Sequence, residues 1–190
     1  MHGPPPRPGH PLVVVAVIEE ARAFAHRVPT VVTGVGKVRA ATATTWAAMA
    51  HRPGVILNLG TAGALRPGEL AAGFVHEIGA VLQHDVNGRA IATLVGSDPS
   101  PRLELGDSGV VLATGDRFIS SPQDRDALAE HAHLVDMEGY AVAASATRLG
   151  IPVRLAKTIS DDAGHGAAMT WSQSLAAASS RLAAWLDEVL

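Results

Sequence analysis

The sequence predicts an α/β fold. Three observations carry that expectation: short apolar runs bounded by turn residues recur along the chain, Ala-rich segments lie between them, and a hydrophobic fraction of 47% includes only 4% aromatics. An interior of Ala, Val, Leu and Ile packs closely and suits parallel β-α units. At 190 residues the chain fits one domain, and halving it leaves pieces too small for a comfortable core. Residues 1–11 are expected to be a disordered proline-rich start, and residues 12–190 the domain.

Residues 12–18 form a continuous apolar run, read as a buried strand ending in Glu19 and Glu20. A short strand is expected at residues 30–33, then Gly34-Val35-Gly36, then an Ala- and Thr-rich helix over residues 37–50 that Pro53-Gly54 stops. Residues 55–59 are the next buried strand, and Gly60-Thr61-Ala62-Gly63 reads as a tight turn where a ligand can approach backbone amides. Residues 74–83 and 90–95 are expected strands, joined by a hairpin at His84-Asp85-Val86-Asn87-Gly88. A loop over residues 97–109 leads to a strand at 110–113. Ser121-Pro122 places a cap and a first-turn proline before a helix through His131. Residues 134–164 read as one β-α-β unit: a strand with Asp136 and Glu138 at its end, a small-residue helix, the break Gly150-Ile151-Pro152, and a second apolar strand ending in Ser160-Asp161-Asp162. Apolar positions at helical spacing make residues 167–190 a long terminal helix.

Three apolar strands thus end in carboxylates. In an open α/β sheet ligands sit outside the carboxyl ends of the strands, so Glu138 and Asp161 are expected to face one pocket. Plainer readings stand beside this one. Glu19 and Glu20 suit the first turn of a helix, where the macrodipole favours acids. Gly34-Val35-Gly36-Lys37 lacks the third glycine of a dinucleotide loop, having Arg39 there, and lacks the Ser or Thr of a P-loop, having Val38. His131-Ala132-His133 has no evident third ligand and reads as a surface pair, so no metal is assigned. Zero Cys excludes disulfides and thiol nucleophiles. A net charge of −3 with scattered basic residues leaves no electrostatic footprint for nucleic acid or an anionic membrane, which points to a small-molecule partner. With no signal-peptide apolar region and no membrane span, a cytoplasmic protein is expected. Spacing alone names no reaction.

Taken in order, VVVAVIEE, GVGKVRAA, NLGTAGAL, ATGDRFI, VDMEGYAVA and KTISDDAG resemble segments of the nucleoside phosphorylase and nucleosidase superfamily, most closely the 5'-methylthioadenosine/S-adenosylhomocysteine nucleosidases. The resemblance covers nearly the whole chain. It implies a three-layer α/β/α sandwich around a mixed, twisted central sheet, and hydrolysis of the N-glycosidic bond of a purine nucleoside without a cofactor. It also implies that Asp161 protonates the leaving purine and that Glu20 orients and deprotonates the attacking water. Glu138 would accept the ribose hydroxyls, Met137 pack beneath the sugar, Phe118 stack on the base and the Ile119 backbone read its edge. Thr61, Gly63 and Ser160, in the same segments, are expected to contact substrate.

The superfamily also holds phosphorylases, which need cations for phosphate; their arginine before the GTAG-like turn is replaced here by Asn58, which favours water. Lys157 and Arg39 are cations on the other side of that balance. The region between His84 and Ala113 is shorter than in the nucleosidases, where it helps line the pocket for the 5' substituent, partly across a dimer interface. Futalosine and adenosyl-hopane therefore stand as alternative substrates, a purine nucleoside phosphorylase and a non-catalytic nucleoside-binding module as alternative functions. A homodimer is the expected assembly.

Overall fold

The computed structural model describes residues 1–190 apart from the side chain of Arg89. Strand β1 (Pro11–Val15) pairs in parallel with β2 (Thr30–Val32) and with β3 (Val55–Ala64). Its residues alternate between two cores, as the period of two in a strand requires. Leu12 and Val14 pack with Ile56 against the Ala-rich faces of α2 (Lys37–His51) and α5 (Gly139–Arg148). Val13 and Val15 pack with Leu57 and Leu59 against Phe24 and, from α6 (Ala167–Val189), Leu182 and Leu186. Helices cover both faces of a mixed sheet, as the resemblance implies. Alanine at the interface lets α2 and α5 approach closely, which explains how so few aromatics fill this interior.

The short helix α1 (Ile18–Ala21) follows β1 directly. Residues 1–11 lie along the sheet edge: His2 and Thr30 exchange backbone hydrogen bonds of 2.8 and 3.0 Å, and Gly54 N–H donates to the His10 carbonyl.

Strand β3 organises the site. It runs straight through Gly60-Thr61-Ala62-Gly63, where the sequence reads as a tight turn, because these residues remain paired to β9 (Val153–Asp161). Along one edge β9 lies parallel to β3 from Ile56 to Gly63. The opposite edge is shared. β1 pairs with it as far as Asn58, and β8 (Leu134–Asp136) pairs antiparallel with Gly63 and Ala64. β1 and β8 therefore run towards each other on that edge, and both stop before residues 59–62.

Consequently β8-α5-β9 is no parallel β-α-β unit, because β8 runs antiparallel to β3 and β9 parallel to it, on opposite edges. The remaining order is β7 (Val111–Thr114) beside β8, then β5 (Ala80–Gln83), then β6 (Leu103–Glu104), with β4 (Val75–Glu77) on the far side of β9. The strand expected over residues 74–83 is thus divided at Ile78-Gly79, its halves joining different neighbours. A two-residue strand interrupts the loop expected over residues 97–109.

Residues 90–95 form no strand but most of α3 (Gly88–Val95). Asn87 caps it by accepting the Ala90 N–H, and Gly96 ends it at φ 77°. These local hydrogen bonds and the left-handed glycine outweigh the β-branched content of the run. Ser121 likewise caps α4 (Pro122–Ala129) through the Asp124 N–H, with proline at the first turn as expected. No described helix is long and apolar enough to cross a membrane.

Candidate active site

The middle of β3 is unpaired on the edge that β1 and β8 share, and a carboxylate gives it a backbone partner there. Glu20 is buried at the third position of α1, and its Oε1 accepts both the Thr61 N–H and the Thr61 hydroxyl at 2.8 Å. Its Oε2 accepts the Ala16 and Val17 N–H groups at 3.2 and 3.3 Å, closing the turn out of β1. The helix-turn reading holds for Glu19, which pairs with exposed Arg22, while Glu20 points inward. Glycine at position 60 leaves room for both, since a Cβ there would lie 3.1 Å from Glu20 Oε1 and 3.4 Å from Lys157 Nζ.

From the opposite direction β8 delivers Asp136 and then Glu138. Glu138 Oε1 accepts the Gly36 N–H at 2.8 Å. Glycine suits position 36, with φ 101° and a Cβ that would stand 3.1 Å from Asp116 Oδ1. Asp136 Oδ2 meets the Lys157 ammonium at 2.9 Å, both side chains being 2% exposed. Thr114 donates to the other Asp136 oxygen at 2.6 Å, and Gly139 N–H donates to Oδ2 at 2.9 Å.

Three carboxylates thus surround one buried cation. Burial alone would lower the Lys157 ammonium, but Asp136, Glu20 and Glu138 hold it above its ordinary value. Glu138 moves the opposite way. Burial, then the charge of Asp136, pushes it up to about 8, against the Gly36 N–H and Lys157.

On the other edge of β3, the β9 register slips so that Ala62 faces Ile159 while Gly63 faces Asp161. The extra residue is Ser160, a bulge. Consecutive strand residues normally face opposite sides, and a bulge re-aims them. Ser160 and Asp161 both line the same cavity in consequence. Ser160 Oγ lies 2.7 Å from Asp161 Oδ2, and Oδ1 accepts the Ala163 N–H at 2.9 Å. Burial and, secondarily, the charge of Asp162 raise the Asp161 carboxyl above its ordinary value despite those donors.

The cavity has a volume of about 230 Å³. Every residue singled out from the sequence lines it: Asp161, Glu20, Glu138, Met137, Phe118, Ile119, Thr61, Gly63 and Ser160. Phe118 and Val35, 42% and 44% exposed, make an apolar rim. Sequence reasoning missed Trp171, whose indole N–H donates to Thr61 Oγ1 at 2.9 Å, and the pairing of Lys157 with Asp136. A lysine inside an apolar strand was the available signal for the second. His133 is structural, its Nδ1 accepting the Val111 N–H at 3.0 Å, and no group of described residues could hold a metal ion.

A sequence profile described as the Phosphorylase superfamily matches residues 18–106 and 103–190. The chain belongs to the phosphorylase superfamily. Within that superfamily it is similar to the 5'-methylthioadenosine/S-adenosylhomocysteine nucleosidase of Arabidopsis thaliana, 31% identical over 173 residues that cover 84% of this chain and 67% of that one. The protein of the same description from Marinomonas sp. (strain MWYL1) is 28% identical over 180 residues, covering 83% and 78%. Among solved structures, the S-adenosylhomocysteine nucleosidase of Streptococcus pyogenes in complex with 5-methylthiotubericidin superposes with a TM-score of 0.80 at 25% identity, each chain 94% covered. The superfamily expected from the six segments is the one found.

Proposed function

We propose that the cavity hydrolyses the N-glycosidic bond of a purine nucleoside of the 5'-methylthioadenosine or S-adenosylhomocysteine type. One observation carries this reading: carboxyl groups from opposite edges of β3, Asp161 and Glu20, line a single cavity with Glu138. Cleavage of this bond sets two charge problems, since the purine leaves with negative charge while the ribose carbon becomes cationic. A general acid and a general base answer them from two sides.

Asp161 is the acid, and burial raises its pKa, the direction that a proton donor needs. Ser160 suits both protonation states, because its hydroxyl donates to the Asp161 carboxylate or turns to the Ala62 carbonyl 3.3 Å away. Glu20 orients the water and takes its proton. Glu138 engages the ribose hydroxyls, Met137 packs beneath the sugar, Phe118 stacks on the base and the Ile119 backbone reads its edge. Thr61 and Gly63 complete the wall. No cofactor enters the scheme.

Water is favoured over phosphate because the cations beside the cavity are already paired. Asn58 is buried with its amide donating to the Val14 carbonyl, and Lys157 is committed to Asp136. Arg117 on the rim is paired with Asp124. A homodimer is the proposed assembly, supported by the uncovered apolar rim of Val35 and Phe118, and the cytoplasm the proposed compartment. The test is a panel of purine nucleosides, futalosine and adenosyl-hopane among them, with and without phosphate, scored by chromatography. Free base and free sugar are expected without phosphate; base release that requires phosphate would refute the hydrolase reading.

A further inference from the structure

Trp171 has no part in the scheme above, yet it reaches the same oxygen network. It lies near the start of α6 and lines the cavity. An indole N–H only donates, and a threonine hydroxyl has one proton to give. Thr61 Oγ1 accepts from Trp171 at 2.9 Å, so its own proton goes to Glu20 Oε1 at 2.8 Å. With the Thr61 N–H also on Oε1 at 2.8 Å, that oxygen is filled by two short bonds. The bonds at Oε2 are longer, 3.2 and 3.3 Å. Each oxygen thus has two donors, and Oε2 is the more weakly held of the two.

We propose that Trp171 is a positioning residue: its indole N–H fixes the Thr61 hydroxyl as a donor to Glu20 Oε1, leaving Oε2 to meet the attacking water. This rests on the assignment of Glu20 as the base. Without the indole N–H the Thr61 hydroxyl is free to rotate about χ1 and to compete with Glu20 as an acceptor for that water. The start of α6 thereby sets the geometry of a group carried by α1. A second tie holds the same two segments together, since Ser179, farther along α6, accepts the Ala23 N–H at 3.0 Å.

The experiment compares the full-length wild type with Trp171→Phe, Thr61→Val, Thr61→Ser and the Trp171→Phe/Thr61→Val double variant. Phenylalanine keeps the ring in the cavity wall and removes only the donor. In nitrogen-15 spectra the Trp171 indole N–H resonance, identified by its loss in Trp171→Phe, should move in Thr61→Val and stay in Thr61→Ser. In turnover of the nucleoside that the wild type cleaves, Trp171→Phe should lower kcat roughly fivefold to tenfold, the worth of one neutral hydrogen bond, with KM nearly unchanged. On the Thr61→Val background the same substitution should change nothing further. An indole resonance indifferent to Thr61→Val, or an equal loss of kcat on both backgrounds, would overturn the inference. A wild type that releases no base overturns the hydrolase reading instead, and the resonance then decides the Trp171–Thr61 link by itself.

Discussion

Replacing Lys157 by methionine should expose how strongly the site depends on one buried cation. Lys157 is 2% exposed and the described residues offer it one ion-pair partner, Asp136, itself held by Thr114 and Gly139. Methionine fills much of the same space, so packing changes little and the electrostatic loss dominates. Removing one partner of a buried pair costs about 3–5 kcal/mol, because the remaining charge stays desolvated. Glu20 loses the same neighbouring cation. For a chain of this size, at roughly 2–4 °C per kcal/mol, Tm should fall by roughly 6–20 °C. Urea denaturation and calorimetry read both quantities. Adding Asp136→Asn to Lys157→Met removes the orphaned charge while keeping an oxygen for Thr114, so the double variant should be more stable than the Lys157→Met single. A Lys157→Met stability within about 0.5 kcal/mol of wild type, or two costs that simply add, would refute the reasoning.

Asp161→Asn should lower base release by roughly 10²–10⁴-fold, the usual worth of a general acid, while calorimetric affinity for the nucleoside changes by no more than a few-fold. Retained turnover would remove Asp161 from the role of acid. Glu138 supplies a pH dependence. Its pKa is about 8 in the folded protein against an ordinary 4.5, so between these values the folded chain holds a proton that the unfolded chain has lost. Stability should therefore fall as pH rises through that window, and Glu138→Gln should flatten the slope in urea midpoints taken at about pH 5 and about pH 9. Gly60→Ala places a methyl 3.1 Å from Glu20 Oε1 and 3.4 Å from Lys157 Nζ. A loss of about 1–3 kcal/mol in stability and at least about tenfold in kcat is expected, measured by denaturation and turnover.

Part of the site was legible in the chain because carboxylates sit at the ends of strongly apolar strands; the other site residues came from the resemblance of the six segments. Glu20, Glu138 and Asp161 each follow such a run, and each lines the cavity. Strand direction was not legible. The antiparallel meeting of β8 with the end of β3 depends on pairing between residues far apart in sequence, and no local pattern encodes it. The same limit hid the continuation of β3 through Gly60 and Gly63, whose small residues suit a turn but here make room for Glu20, Lys157 and Asp161. For α3 the misreading was local: Asn87 and Gly96 bracket the segment as cap and stop, a signal stronger than its β-branched residues. Trp171 reaches its partner across 110 residues of chain, and nothing in the residues around it announces Thr61.

Hydrolysis by water activated at Glu20 is tested most directly by turnover of the cleaved nucleoside in oxygen-18 water without phosphate, the released sugar being read by mass spectrometry. Heavy oxygen at C1' of the sugar is expected, formed at a rate that collapses in Glu20→Gln. Base release with no label in the sugar, or an unchanged rate in Glu20→Gln, would contradict it.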